Sequence, residues 1–448
     1  MKLINHMFVR EIGNIGKQYI IVNTLTAFVG ILFKEEAEIV MRWKSEKNIN
    51  PVTDKETALY SKLAEHNFLI NNSEEEFETV NKIMTSCRIT HQEKSAGSHS
   101  LVLALTYMCN FDCPYCFEKE NCNSKGKVIT EEQIDRILEL NSGKIKDICL
   151  FGGEPLLPYT KNIISYVFKK APNEIYSVIT NGYFLDEFIP LLKTVRTACI
   201  TVTLDGKAER HNKTRILKNG SGTYDKIIRN IEIALENGLP IEIRMNLTAD
   251  NKDEALALRE EFKEKYAKYY TSKKLFFNLQ AVFQQEATQK TQIYLDSLYT
   301  IPKDGNFASN NTSALFSYPL LKNLMSAKNT FTPLYCNCDS EESTFIYDAY
   351  GDIYSCMVAL GNKHAAIGTY YPEYSLEKEE CMLNRNIESI PQCKECINKF
   401  LCGGGCAYQI FKPGETIFRP NCRSMNAQID HLIAFSKREL DKHAESAK

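Results

Sequence analysis

Three cysteines, Cys109, Cys113 and Cys116, lie within eight residues of one another in the spacing Cys-x3-Cys-x2-Cys. Thiolates this close can hold three irons of a [4Fe–4S] cluster and leave the fourth iron open to another ligand. Structural zinc is the plainer use of clustered cysteine, but it takes four ligands in a tetrahedron. Only Cys122 lies near enough in sequence to complete one. A second group, Cys393, Cys396, Cys402, Cys406 and Cys422, follows Cys336, Cys338 and Cys356 in the C-terminal part. Sixteen cysteines in a chain with no secretory signal at its start point to metal chemistry in a reducing compartment, the cytoplasm, rather than to a disulfide framework. The remaining five, Cys87, Cys122, Cys149, Cys199 and Cys381, stand apart and read as small packing residues.

The first cysteine group comes directly after an apolar run, Leu101–Tyr107, and similar runs recur at Asp147–Phe151, Ile175–Thr180, Cys199–Leu204, Ile241–Leu247 and Leu275–Leu279. Helix-period segments separate them, at Asn162–Lys170, Asp186–Val195, Tyr224–Glu236 and Asp253–Tyr266. The first crossover helix carries the capping-box spacing of Thr130 and Gln133. Six βα units predict a parallel sheet whose C-terminal strand ends form the active mouth. At those ends stand Phe151-Gly152-Gly153-Glu154-Pro155, Thr180-Asn181-Gly182 and Thr203-Leu204-Asp205-Gly206. Glycine admits a close backbone approach, and a carboxylate can accept hydrogen bonds from an ammonium group. His211 reads as a surface residue.

Ahead of this unit, Tyr19–Phe33 is too short and too interrupted by polar residues for a membrane span and reads as paired strands. Helical patterns follow at Glu35–Trp43 and Glu56–Asn67, and the polar stretch Glu93–His99 reads as a linker. From Gln284 to Pro333 the pattern degrades, and past Asn426 an amphipathic helix is expected. The 448 residues suggest two to four domains. With 54 Lys plus Arg against 56 Asp plus Glu, no global positive field is available to bind nucleic acid or an acidic membrane.

The run Cys109-Asn-Phe-Asp-Cys113-Pro-Tyr115-Cys116 resembles the cluster motif of the radical S-adenosylmethionine (SAM) superfamily, and Gly152-Gly153-Glu154-Pro155 resembles its motif for the SAM amino group. The resemblance implies that SAM chelates the open iron, that Tyr115 contacts the adenine, and that Thr203, Arg215 and Asn246 also face SAM. It further implies cleavage to a 5′-deoxyadenosyl radical that removes hydrogen from substrate, with reducing electrons from a flavodoxin or ferredoxin. The C-terminal spacing, Cys338-x12-Gly351-x4-Cys356, Cys393-x2-Cys396-x5-Cys402-x3-Cys406 and Cys422, is similar to the SPASM extension of that superfamily. By that likeness Cys338, Cys356 and Cys406 hold one auxiliary [4Fe–4S] cluster, with Cys336 a plausible fourth ligand. Cys393, Cys396, Cys402 and Cys422 hold another, making three clusters. Without Cys336 an iron would stay open to a substrate thiolate.

The N-terminal region resembles the winged-helix-like module by which peptide-maturing enzymes hold a leader segment, through strand addition. The expected fold is therefore α/β: a partial (β/α)6 barrel with a peptide-recognition module and a SPASM domain. The boundaries are 1–92 for leader recognition, 100–283 for the barrel, 284–335 for a connecting segment, 336–425 for SPASM and 426–448 for a terminal helix. The implied activity is modification of a ribosomally made precursor peptide, foremost by cysteine thioether crosslinks. Carbon–carbon crosslinking and formylglycine formation in a sulfatase are the enzymatic alternatives, and a non-catalytic electron-transfer protein is the different class.

Overall fold

The computed structural model describes residues 1–13, 18–119, 126–248, 250–281, 331–338, 343–376 and 381–423, and most of 425–437. Cys122, most of the expected connecting segment and the end of the expected terminal helix lie outside the described residues.

The N-terminal unit is built on the strands β1 (Lys2–Leu3), β2 (Met7–Gly13), β3 (Gln18–Asn23) and β4 (Phe28–Phe33). The last three form an antiparallel sheet in that order. Helices α1 (Lys34–Trp43) and α2 (Asp54–Glu65) follow, then β5 (Leu69–Ile70), which pairs with β1, and α3 (Ser73–Ala96). Thr53 caps α2 by accepting from the Glu56 amide at 3.2 Å, while Glu56 turns back to the Val52 amide at 2.6 Å. The alternation of β3 serves two cores. Ile21 packs with Trp43, Leu59 and Phe68, whereas Ile20 and Val22 pack with Leu401, Cys402 and Met425 from the C-terminal part. Thr24 Oγ1 also donates to the Ile397 carbonyl at 2.5 Å.

The expected linker at Glu93–His99 is instead the end of α3, with only Gly97 and Ser98 between it and the next strand. No helix breaker precedes Gly97, which caps the helix through its amide to the Glu93 carbonyl at 2.9 Å.

Six parallel strands follow: β6 (His99–Ala104), β7 (Ile145–Phe151), β8 (Ile175–Thr180), β9 (Arg196–Thr203), β10 (Ile241–Leu247) and β11 (Leu275–Ala281). The crossover helix Glu131–Leu140 begins with both bonds of the Thr130/Gln133 capping box. The sheet then continues beyond the barrel. Strand β12 (Thr344–Asp348) lies parallel to β6, and β13 (Asp352–Tyr354), β14 (Gly368–Thr369) and β15 (Ser375–Leu376) extend it antiparallel to ten strands. Tyr107, just past β6, donates to the Asp348 carboxylate of β12 at 2.8 Å, and both are buried. The cysteine-rich part is thus hydrogen-bonded into the barrel's own sheet.

His211, expected at the surface, is fully buried. The Thr223 hydroxyl donates to the Arg215 carbonyl at 2.6 Å, so it must accept from His211 Nε2–H at 3.1 Å, and Nδ1 is left without a proton. Burial, then the Arg215 charge, lowers the His211 pKa from 6.5 to about 3. The imidazole is neutral when folded and charges when unfolded, so its contribution is fully present above pH 6.5 and is lost as pH falls toward 3. The slope is at most about 1.4 kcal/mol per pH unit. His211→Gln is expected to flatten the loss of urea resistance across that window, and an unchanged acid profile would rule out the assignment.

Among the described residues no helix is long and apolar enough to cross a membrane.

Candidate active site

Past β6 the chain enters a loop pinned on both sides. Phe111 bridges Leu217, and the Asp112 amide donates to the Ile216 carbonyl at 2.9 Å. Between these anchors and a turn closed by the Cys116 amide on the Cys113 carbonyl, Cys109, Cys113 and Cys116 face one cavity of about 450 Å³. Burial raises the Cys109 thiol to about 12, reinforced by the Glu154 carboxylate. Burial raises Cys113 too, while the Arg215 cation opposes it. Such thiols ionise when a metal's positive charge replaces the missing solvent.

Glycine serves strand packing here as much as ligand approach. A Cβ on Gly152 would stand 2.3 Å from the Thr106 carbonyl oxygen, and one on Gly153 would stand 2.5 Å from those of Tyr107 and Met108. Amides of Gly153 and Glu154 donate to the Thr106 and Met108 carbonyls at 2.9 Å each, tying the end of β7 to the cysteine loop.

Glu154 is buried, and its carboxylate accepts from Thr180 Oγ1 at 2.5 Å, the Asn181 amide at 2.7 Å and the Leu156 amide at 2.9 Å. Burial nevertheless holds its pKa above the ordinary value. Within the chain it braces the β7 and β8 ends together, a role beyond the ammonium acceptor expected from sequence.

Tyr115 donates to Asp205 and accepts from Arg215 Nη1 at 3.1 Å. Asp205 also accepts from Thr214 Oγ1 at 2.8 Å, yet its Oδ1 and the Nε of Arg215 are buried without hydrogen-bond partners. The orphaned donor of Arg215, which lines the cavity, fits the carboxylate of a zwitterion such as SAM, and the three thiols beside it fit an iron–sulfur cluster.

Tyr115, Gly152, Gly153, Glu154, Thr203, Arg215 and Asn246 all line this cavity; Pro155 is not part of its wall. Sequence reasoning missed Glu118, Arg244 and Val358, which also line it. Arg244 had a signal, since it lies two residues before Asn246 on a strand whose alternate residues share a face. Glu118, two residues past Cys116, is buried. Val358 comes from the turn after Cys356 in the C-terminal part.

In that part, Cys393 and Cys402 are pushed up to about 11 and about 12 by burial. Each also feels the charge of Cys396 and Cys422. Cys336 is buried, with Sγ 3.8 Å from His91 Nδ1 and 3.9 Å from the Cys338 carbonyl. Cys338 is exposed, and Cys356 and Cys406 are half-buried. A Cβ on Gly403 would fall 2.4 Å from the Cys336 carbonyl oxygen, so the Cys402–Cys406 loop lies directly on the Cys336 backbone.

The sequence signature of the radical SAM superfamily matches residues 103–261. The chain is 34% identical over 165 residues to a GTP 3′,8-cyclase of Clostridium perfringens strain SM101, covering 35% of this chain and 50% of that protein. It is 30% identical over 213 residues to a probable GTP 3′,8-cyclase of Archaeoglobus fulgidus, covering 43% and 69%. A cysteine-type anaerobic sulfatase-maturating enzyme of C. perfringens strain 13 is 24% identical over 329 residues, covering 66% and 85%. The chain therefore spans about half the length of the first cyclase and more of the others. The crystal structure of Streptococcus suis SuiB bound to its precursor peptide SuiA has the same fold, with a TM-score of 0.55 and 15% identity over 94% of this chain and 99% of that one. Family membership implies a [4Fe–4S] cluster and SAM as cofactors. With the cysteine loop and the paired glycines set around one cavity, this chain belongs to the radical SAM superfamily of enzymes.

Proposed function

We propose that this enzyme modifies a ribosomally made precursor peptide, forming thioether crosslinks from its cysteines, and that it carries three [4Fe–4S] clusters in the cytoplasm. The observation that carries the reading is the position of the cysteine-rich part. It continues the barrel sheet through β12, and Val358, two residues past Cys356, forms part of the cavity wall. A peptide in the cavity would therefore touch the C-terminal part at the turn that follows Cys356.

Cys109, Cys113 and Cys116 would hold the cluster that binds SAM. Cys338, Cys356 and Cys406, with Cys336, would hold the first auxiliary cluster, and Cys393, Cys396, Cys402 and Cys422 the second. Bound together, the reduced cluster and SAM supply hydrogen-atom abstraction. Tyr115, Thr203, Arg215 and Asn246 orient SAM, and Glu154 fixes the strand ends around it.

The N-terminal unit supports a peptide substrate. Strand β4 has one strand neighbour among the described residues, β3, and carries the exposed side chains of Ile31 and Phe33. An extended leader segment could add there. Full-length likeness to SuiB, whose structure holds a precursor peptide, supports the same reading. Formylglycine formation is the weaker alternative, because that chemistry leaves the N-terminal unit without a task.

The test is an anaerobic reaction of the reconstituted enzyme with SAM, dithionite and cysteine-containing precursor peptides encoded beside its gene. The expected product has lost two hydrogens per bond and resists thiol alkylation, with 5′-deoxyadenosine formed. Loss of two hydrogens with every thiol still alkylatable would move the assignment to carbon–carbon crosslinking.

A further inference from the structure

The cavity contains two arginines in different situations. Arg215 stands at the cysteine end, donating to Tyr115 with its guanidinium 5.6 Å from the centre of the Phe111 ring and within the field of Cys113. Arg244 projects into the barrel from β10, in register with Thr203 of β9. Its charge reaches Cys149 of β7 and Cys199 of β9, below the strand ends.

Arg244 Nε is buried without a hydrogen-bond partner, and among the described residues the guanidinium makes neither a hydrogen bond nor an ion pair. Glu242, on the same strand face, is turned to other partners: its Oε1 accepts from Thr201 Oγ1 and from Asn278 Nδ2, each at 3.1 Å. A guanidinium is a planar fork of donors that cannot shed its charge, and one turned toward a cavity with its Nε unpaired keeps donors open for an incoming carboxylate.

We propose that Arg244 binds a carboxylate of the substrate, selecting an Asp or Glu side chain at or next to the residue that reacts. This rests on the peptide-substrate reading above and narrows it to acidic peptides. SAM also offers a carboxylate, but Arg215 already stands at the cysteine end where its amino-acid part would bind. Arg244 stands instead within the field of Cys149 and Cys199 on the barrel wall, which leaves its donors to a substrate carboxylate. A bidentate pair there fixes both position and orientation, and binding a neutral amide instead would leave the cation unanswered.

The experiment uses the reconstituted, SAM-loaded enzyme and two small probes, N-acetyl-glutamate α-amide and N-acetyl-glutamine α-amide, with binding read by saturation-transfer NMR. The glutamate probe is expected to bind roughly tenfold or more tightly than the glutamine probe. R244Q should erase that preference, and R244K should restore part of it. Equal behaviour of the two probes on the wild-type enzyme, including no binding of either at their solubility limits, overturns the proposal. So does a fall in the SAM affinity of R244Q matching its loss of probe binding, since Arg244 would then serve SAM. No precursor peptide is involved, so failure here is distinct from failure of peptide maturation.

Discussion

Arg385→Leu is expected to lower the melting temperature sharply and to strip the protein of at least one cluster's worth of iron. The Arg385 guanidinium is fully buried and donates to the carbonyls of Gly404, Gly405 and Arg419 at 2.7 Å each and of Ile417 at 3.0 Å. Leucine fills the space but leaves four buried acceptors unmatched, at about 1–3 kcal/mol apiece before relaxation. A net loss of about 4 kcal/mol or more follows for a hydrogen-bonded buried charge. Gly404 and Gly405 lie between Cys402 and Cys406, and Arg419 precedes Cys422, so the clamp sets the spacing of three cysteines. Gly403, Gly404 and Gly405 all adopt positive φ, at 55°, 86° and 73°, a path few other residues would hold. Iron and sulfide analysis with thermal unfolding checks the expectation. Arg385→Lys, able to satisfy fewer of the carbonyls, should fall between. Full iron content with unchanged melting in Arg385→Leu would show that the loop holds its shape without the clamp.

Gly152→Ala should cut 5′-deoxyadenosine formation by about 100-fold or more. The backbone at Gly152 has φ +114°, which L residues rarely adopt, and its new Cβ would press to 2.3 Å of the Thr106 carbonyl oxygen. That oxygen belongs to the backbone leading into Cys109 and accepts the Gly153 amide. It cannot yield as a flexible side chain would. Relief requires the cysteine loop and the Gly152–Glu154 turn to separate, and displacement near 1 Å at a reacting centre costs rate on this scale. Gly143→Ala is the matched control, with φ +74° but nothing within 4 Å of its Cβ, so only backbone strain of about 1–2 kcal/mol is at stake. Nucleoside release by chromatography, beside melting temperatures for both variants, separates crowding from strain. Near-native nucleoside release by the Gly152 variant would mean the two loops need not touch.

What could be read from sequence divides along physical lines. Strands at Ile175–Thr180 and Ile241–Leu247 match to the residue, because their flanking turns and apolar runs are local signals. The Thr130 capping box is local too. Helix α3 left a weaker trace, since along 24 residues only Glu76 and Cys87 are buried, with Val80, Ile83 and Met84 packed partly against the N-terminal core. The fate of His211 was decided by Thr223 and Arg215, which fold back on it from later in the chain. The cavity's cysteines and glycines announced themselves by spacing, whereas Glu118 and Val358 reach it only through the loop path and the C-terminal turn. Cys149 and Cys199 were read as packing residues; Cys149 is buried and Cys199 half-buried in the barrel, near Arg244. The pairing of β12 with β6 was invisible, since parallel pairing at such range leaves no local pattern.

That pairing governs how the protein is made. Ser100 of β6 aligns with Thr344 of β12, 244 residues further along. On the ribosome, β6 can gain β7 early but must wait for most of the chain before its other edge is covered. Contacts this distant in sequence are slow to close, and an uncovered edge invites pairing with other chains. The edge of β6 is therefore covered only after Thr344–Asp348 has emerged. An expression host that outruns chaperone supply or cluster delivery at that stage should accumulate aggregates, so slow, cool synthesis favours the intact protein.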